Sequence, residues 1–230
     1  MLNRFLFIGF LSFWFSASSQ VVQDTLGFQL PVVKNGDYYR EDQLYFNISS
    51  IRLTDAEGGL GQDGFSYAFA LGFYRDIPLN QRGSIALAAG IGYDYSRYQL
   101  KYLLDPVGID DFENVESATS QLHSLQIPIE IRFRTSTATK YSFWRVYTGF
   151  TFDYRIQDRL KFKTATDTYI YRNTDVFQRW GYGPHANVGY GIWNFYIYYN
   201  INNIFSDDLN EQNVYFVSQE LKLGFQILIF

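Results

Sequence analysis

The fold is decided by the last ten residues, Leu221-Lys222-Leu223-Gly224-Phe225-Gln226-Ile227-Leu228-Ile229-Phe230. Apolar residues occupy the odd positions of this stretch, and polar residues or glycine stand between most of them. Strict alternation is typical of a β-strand with one apolar and one polar face. The closing strand of an outer-membrane barrel has this pattern because one of its faces contacts lipid. We therefore predict a C-terminal assembly strand that comprises Leu221, Leu223, Phe225, Ile227, Ile229 and, out of register with the other five, Phe230.

The start of the chain predicts a secretory signal peptide. A short basic start, Met1-Leu2-Asn3-Arg4, precedes a largely apolar run, and Ser16-Ala17-Ser18-Ser19 then supplies small residues before a cleavage site at Gln20. The apolar run is too short for a mature transmembrane helix. We assign residues 1–19 to the signal peptide, residues 20–42 to a periplasmic N-terminal arm and residues 43–230 to an outer-membrane β-barrel.

The composition fits such a barrel. Aromatic residues make up 20% of the chain, which suits the aromatic girdles that barrels place at both membrane interfaces. The net charge is −4 and no basic run occurs, so we expect no nucleic-acid partner. Cysteine is absent, which excludes disulfides and thiolate metal sites.

Alternating segments and the lengths of their connections predict the topology. The connections after the first, third and fifth segments are long and polar, whereas those after the second, fourth and sixth are short. With an even strand number and periplasmic termini, every long connection then lies outside the cell. We predict an all-β, transmembrane, antiparallel up-and-down β-barrel in the outer membrane of a Gram-negative bacterium. About eight strands are expected, with ten as the alternative, near residues 43–53, 65–77, 84–98, 122–134, 141–156, 176–190, 193–201 and 217–230.

Parity assigns the two faces of each strand, since successive side chains point to opposite sides. A charge that faces hydrocarbon costs roughly 2–4 kcal/mol at the midplane, so the charged residues are expected inside the barrel. The first strand loses its alternation at Ser49 and Ser50, where a β-bulge would return Ile51 and Leu53 to the outer face. The predicted lumen charge network comprises Asp94, Glu130, Arg132, Arg134, Arg145, Asp153, Arg155, Arg179, Glu220 and Lys222.

Two interpretations of this lumen remain open. An eight-stranded barrel has room for little more than interlocking side chains, so we expect a packed, salt-bridged interior. The alternative is a narrow passive channel, which the excess of arginine would make selective for anions.

The chain offers few candidates for catalysis, and we predict no catalytic, cofactor-binding or metal-binding residues and no enzyme activity. His123-Ser124 resembles the base and nucleophile of a membrane-embedded lipid-modifying enzyme, which is the third functional alternative. Adjacent strand residues point to opposite faces, however, so the two cannot form a dyad. The other histidine, His185, is expected to be a structural residue of the lumen.

Two loop motifs carry weaker signals. Residues 59–64 match G-x-G-x-x-G but link two strands, so we interpret them as a flexible outer loop. The acidic residues between Asp105 and Glu116, together with Asp207, Asp208 and Glu211, predict an acidic outer surface. Bridging of this surface to lipopolysaccharide phosphates by divalent cations is left open.

Short segments resemble a known family. A mature end that begins with Gln20, Gly-Phe-Tyr-Arg-Asp-Ile-Pro-Leu at 72–79 and Leu-Gln-Ile-Pro-Ile-Glu at 125–130 look like the Bacteroidota outer-membrane β-barrel family that includes PorT-like proteins. PorT-like members are associated with type IX secretion. The resemblance implies a binding or scaffold role as an accessory subunit of an outer-membrane assembly or secretion complex. The expected partners are outer-membrane lipid and lipopolysaccharide, the barrel-assembly machinery and a larger outer-membrane protein complex.

Overall fold

The computed structural model describes residues 42–54, 62, 64–80, 83–100, 115–135, 144–165, 167–206 and 218–229. No helix in these ranges is long and apolar enough to cross a membrane. The ranges contain the strands β1 (Gln43–Thr54), β2 (Ser66–Pro78), β3 (Ile85–Leu100), β4 (Val115–Arg134), β5 (Trp144–Thr164), β6 (Thr168–Arg172), β7 (Trp180–Tyr190), β8 (Trp193–Tyr199) and β9 (Gln219–Ile229).

Several predicted features lie outside the described residues. They are the signal peptide at 1–19, all of the N-terminal arm except Asp42, four of the six residues of the G-x-G-x-x-G motif, and Phe230. The described ranges likewise omit Asp207, Asp208, Glu211 and the side chains of the acidic segment from Asp105 to Glu116.

Eight of the strands close into an antiparallel barrel. The sheet order runs from β4 through β3, β2, β1, β9, β8 and β7 to β5, and the pairing of β4 with β5 completes the ring. The first and last strands of the barrel pair directly, with Phe46 opposite Ile227. The predicted up-and-down barrel of about eight strands is thereby confirmed.

The connection predicted at residues 157–175 is wrong in part, because two strands occupy most of it. β5 continues to Thr164, and the short strand β6 pairs with its end outside the barrel ring. Ser124 lies opposite Arg155 and His123 opposite Gln157, so Ile156 is an extra residue that forms a β-bulge. Before the bulge the odd-numbered side chains of β5 face the interior, and beyond it the even-numbered ones do. The regular alternation visible in the sequence up to residue 155 therefore breaks at this point.

The alternation of faces is otherwise as predicted. On β9, Phe225 and Ile229 are exposed on the outward face, and Gln226 and Leu228 are buried. The exposed outward side chains of the barrel are mainly aromatic and aliphatic, as a wall in contact with lipid requires.

The β-bulge expected at Ser49 and Ser50 does not occur. β1 pairs with β9 in continuous register from Leu44 to Thr54, so Ile51 faces the interior, where it is 2% exposed. The outer end of the barrel interior is apolar, although a polar interior was expected. Ile51 can therefore be buried there. We call this region the outer apolar cluster; it comprises Ile51, Ala68, Tyr98, Leu100, Ala118, Leu122, Leu160, Phe162, Val176, Phe177, Ile204 and Phe205.

A second group of buried apolar residues lies in the periplasmic half of the barrel. It comprises Tyr45, Ala70, Tyr74, Ala88, Tyr147 and Leu228. The ring of Tyr45 packs over Gly92 on β3, where a Cβ atom would stand 1.9 Å from the tyrosine Oη. Glycine at position 92 therefore leaves the space that this ring occupies.

Candidate functional site

The lumen contains a first group of charged side chains, which we call the periplasmic charge cluster: Asp76, Glu130, Arg132, Arg134 and His185. Arg132 donates from Nε to Glu130 Oε2 at 2.8 Å and from Nη1 to Asp76 Oδ1 at 3.3 Å. Arg134 donates from Nη2 to Asp76 Oδ2 at 2.7 Å and from Nε to the carbonyl of Gly83 at 2.5 Å. Gly83 lies in the short turn between β2 and β3, and short turns face the periplasm.

Aromatic rings hold the central guanidinium of this cluster. The Cζ atom of Arg132 lies 4.4 Å from the ring centre of Tyr74 and 4.8 Å from that of Tyr147. A guanidinium attracts the faces of aromatic rings, and more strongly when water is excluded. Arg132 therefore connects β4 to β2 and β5 through the rings of Tyr74 and Tyr147, and its ion pair with Asp76 adds a second connection to β2.

A second group, the central charge cluster, lies between the middle of the barrel and the outer apolar cluster; it comprises Asp94, Asp153, Tyr198, Glu220 and Lys222. Lys222 Nζ is 3.0 Å from Asp94 Oδ1 and 3.2 Å from Glu220 Oε1. Tyr198 donates from Oη to Asp153 Oδ2 at 2.8 Å. The contacts connect β9 and β8 with β3 and β5 through the interior.

The lumen also aligns three groups that sequence reasoning did not combine. His185 Nε2 lies 3.1 Å from Glu130 Oε1, and a hydrogen bond of 2.9 Å joins His185 Nδ1 to Thr151 Oγ1. A hydroxyl, an imidazole and a carboxylate in this order are the parts of an activated nucleophile. All three residues are buried, with 3% or less of each exposed.

His123 and Ser124 are not partners, as parity predicts. Ser124 is buried on the lumen side of β4, whereas His123 faces outward and its Nδ1 contacts the hydroxyl of Tyr93. The structure therefore separates the pair on opposite sides of the wall.

Most of the predicted network lies in the lumen. Asp94, Glu130, Arg132, Arg134, Asp153, Glu220 and Lys222 are buried there in the two clusters. Arg145 is also buried and donates to the carbonyl of Gly191 in the turn between β7 and β8. Arg155 is half-buried and donates to the carbonyls of Gln178 and Ile204, so it binds backbone at the outer end.

Arg179 was wrongly placed in the lumen. Its side chain is 68% exposed and pairs with Asp175 at 3.1 Å, because β7 begins only at Trp180 and the residues before it leave the barrel wall. Both Asp175 and Arg179 line a surface pocket of about 260 Å³ that opens beside the bulge of β5.

Sequence reasoning missed Asp76, which accepts hydrogen bonds from both arginines of the periplasmic charge cluster. The signal was present, since Asp76 has the same parity as the inward Tyr74 of β2. His185 was expected inside, but its partner Glu130 comes from a distant strand and was not predictable.

The charges of the lumen nearly balance. The buried carboxylates Asp76, Asp94, Glu130, Asp153 and Glu220 face the buried cations Arg132, Arg134, Arg145 and Lys222, with Arg155 at the outer edge. Paired and hydrogen-bonded charges are what a buried site tolerates, while an unpaired charge would be costly. Within the described ranges, no three His, Cys, Asp or Glu side chains are grouped so that they could hold a metal ion. The arrangement is suited to fastening strands to one another across the interior.

One protein family is similar to most of the chain. The family model for an outer membrane protein beta-barrel domain matches residues 29–206. No curated protein sequence matches the chain. Among solved structures, the crystal structure of Neisserial surface protein A is similar with a TM-score of 0.42 and 14% sequence identity, over 82% of this chain and 96% of that one.

Proposed function

The chain belongs to the family of outer membrane protein β-barrel domains and resides in the outer membrane of a Gram-negative bacterium, and we propose that it works there as a binding or scaffold protein. In this proposal it is an accessory subunit of an outer-membrane assembly or secretion complex, as its resemblance to PorT-like proteins implies. Its lumen has a structural role, and its outer surfaces make the functional contacts.

The observation that carries the proposal is the filling of the interior. Ion pairs cross the lumen between strands that are not neighbours; one of them joins Arg134 on β4 to Asp76 on β2. The outer apolar cluster then packs the end of the barrel that faces away from the cell. A barrel of eight strands is just wide enough for its side chains to fill. Such an interior supports a role for the surfaces and argues against the alternative of a passive channel.

The alternative of a lipid-modifying enzyme has one observation in its favour, the alignment of Thr151, His185 and Glu130. A nucleophile must reach its substrate, and these three side chains lie in the packed lumen with their polar atoms directed at one another. We therefore assign this group to the structural network. The proposal includes no enzyme activity.

The part of the structure best placed for a partner is the projection that β4, β5 and β6 form beyond the barrel ring. Ile170 on β6 is 45% exposed there, outside the eight strands of the barrel ring. An exposed aliphatic residue that lies outside the apolar wall of the ring is a candidate contact for another protein. Ile192, in the turn at the periplasmic end, is equally exposed and serves as its matched control.

Affinity purification of the tagged full chain from its native outer membrane in mild detergent tests the proposal. We expect a larger outer-membrane protein to copurify in stoichiometric amount. We expect Ile170→Asp to reduce its recovery and Ile192→Asp to leave it unchanged. Recovery of the chain as a clean monomer would contradict the scaffold role.

A further inference from the structure

The outward face of β3, β5 and β6 carries a group of basic side chains towards the outer end of the barrel. We call it the outer basic face; it comprises Arg97, Arg159, Lys161, Lys163 and Arg172. Beyond the bulge at Ile156, Leu160 and Phe162 are buried, so the alternate side chains of β5 point outward. Lys161, Lys163 and Arg172 are exposed, and Arg97 and Arg159 are half-buried.

The strand register places three of these cations in one row. Arg97 on β3 is opposite Gln121 on β4, Gln121 is opposite Arg159 on β5, and Arg159 is opposite Arg172 on β6. Neighbouring strands lie about 4.8 Å apart, which puts Arg97 and Arg159 about 10 Å from each other. At its other end the row continues to Tyr67, whose hydroxyl accepts a hydrogen bond of 3.4 Å from Arg97.

The row is unfavourable by itself. Like charges directly opposite each other on antiparallel strands are destabilising, and Arg159 and Arg172 are such a pair. Among the described outward side chains of β3 to β6 beyond Tyr95, none is a carboxylate. Arg159 Nε is also buried without a hydrogen-bond partner. An anion at this face would offset the repulsion and accept from the guanidinium groups.

The height of the row on the wall indicates which anion it meets. Tyr95 and His123 pack against each other directly below it, with ring centres 5.2 Å apart, and Tyr154 and Trp180 do the same at 4.9 Å on the neighbouring strands. Aromatic residues of this kind mark the membrane interface of a barrel. Arg97 follows Tyr95 by two residues, about 7 Å further out along the strand. The cations therefore lie at the level of the lipid headgroups in the outer leaflet.

We propose that the outer basic face binds the phosphate groups of the outer-leaflet glycolipid, the lipid A part of lipopolysaccharide. Arg97, Arg159 and Arg172 offer planar guanidinium groups that suit phosphate oxygens. Lys161 and Lys163 add positive charge further out. The acyl chains of the same lipid continue down the apolar wall below the row, where Leu125 and Phe152 are exposed. This proposed lipid A site does not depend on the proposal that the chain has a protein partner.

Native mass spectrometry of the full chain in detergent, titrated with bisphosphorylated lipid A, tests the site. Each cation near an anionic lipid surface contributes about 1 kcal/mol, or roughly fivefold in affinity. We expect Arg172→Gln to weaken binding about fivefold and the combination of Arg97→Gln, Arg159→Gln and Arg172→Gln to weaken it about 100-fold. Because β6 is not part of the barrel ring, Arg172→Gln leaves barrel closure intact.

Three further measurements separate a phosphate site from general lipid or anion binding. Arg75→Gln, which removes an exposed arginine near the periplasmic end, is the matched control and should leave the affinity unchanged. Fully dephosphorylated lipid A should bind as weakly as phosphorylated lipid A binds to the triple variant. Inorganic phosphate at millimolar concentration should not displace the lipid. Equal affinity for the two lipids, an equal loss with Arg75→Gln, or full displacement by inorganic phosphate would overturn the proposal.

Discussion

Lys222 on β9 and Asp94 on β3 form a buried ion pair of 3.0 Å between Nζ and Oδ1, although 128 residues separate them in the chain. Two strands, β1 and β2, stand between theirs in the barrel wall. The contact therefore fastens the wall through the interior, independently of the hydrogen bonds between neighbouring strands. Its removal tests whether the lumen holds the barrel together.

Lys222→Met should destabilise the barrel strongly. It leaves the carboxylates of Asp94 and Glu220 buried without their ammonium partner, which costs about 3–5 kcal/mol. Urea unfolding of the refolded chain in detergent, followed by tryptophan fluorescence, measures this cost. Arg52→Met, an outward and exposed change on β1, should alter the free energy of unfolding by less than about 0.5 kcal/mol.

The pair should also show coupling. Asp94→Asn combined with Lys222→Met removes both charges, so the double variant should be more stable than the sum of the single losses predicts. Strict additivity of the two losses would mean that the ion pair does not fasten the wall.

The filled lumen should not conduct ions. In planar bilayers the purified chain should give no steady current, because paired charges and the outer apolar cluster occupy the interior. Protease digestion of the same preparation confirms that the barrel has inserted. A steady, anion-selective conductance would refute the packed interior and favour the channel alternative.

Gly92→Ala should create a steric clash. The new Cβ would stand 1.9 Å from Tyr45 Oη and 2.9 Å from the carbonyl oxygen of Leu71, and overpacking of this kind typically costs about 1–3 kcal/mol. Gly181→Ala is the matched control, since the atom nearest to its Cβ would be the flexible end of Arg155, at 3.3 Å.

A second substitution identifies the source of that cost. Tyr45→Leu removes the ring that lies over Gly92, so Gly92→Ala should be less harmful in the Tyr45→Leu background than in the native chain. Chemical denaturation of the four chains measures the coupling. If Gly92→Ala lowers the free energy of unfolding equally in both backgrounds, the clash is with the backbone of β2 and not with the ring of Tyr45.

Phe205→Ala should loosen the outer end while the barrel stays closed. Phe205 is 2% exposed and packs against Phe177 with ring centres 5.5 Å apart. Truncation of a buried phenylalanine removes about 3–5 kcal/mol, and here it weakens contacts beyond the membrane wall. Limited proteolysis of intact cells should cut the variant in its outer segments, and Phe65→Ala, at a position that is 74% exposed, should not increase cleavage. Unchanged resistance of Phe205→Ala would show that the outer segments do not depend on this cluster.

The agreement between sequence and structure is good for the wall and partial for the interior. The outward faces of β2, β3, β4, β8 and β9 follow the predicted parity. Parity failed at Ile156, where one extra residue reversed the faces of β5, and at Ile51, which was assigned to lipid because a polar lumen was assumed. A bulge depends on the register with the partner strand, and the local sequence carries little trace of it.

By itself, the sequence determined the class of fold, the orientation of most side chains and the membrane in which the chain resides. These properties follow from a local cause, because a strand between lipid and lumen must alternate residue by residue. Only the tertiary structure decided which charges meet, that Arg179 lies outside the lumen and that β6 extends the wall into a basic face. Such contacts depend on the register of strands that are distant in the chain, and closure of the barrel brings Lys222 to Asp94.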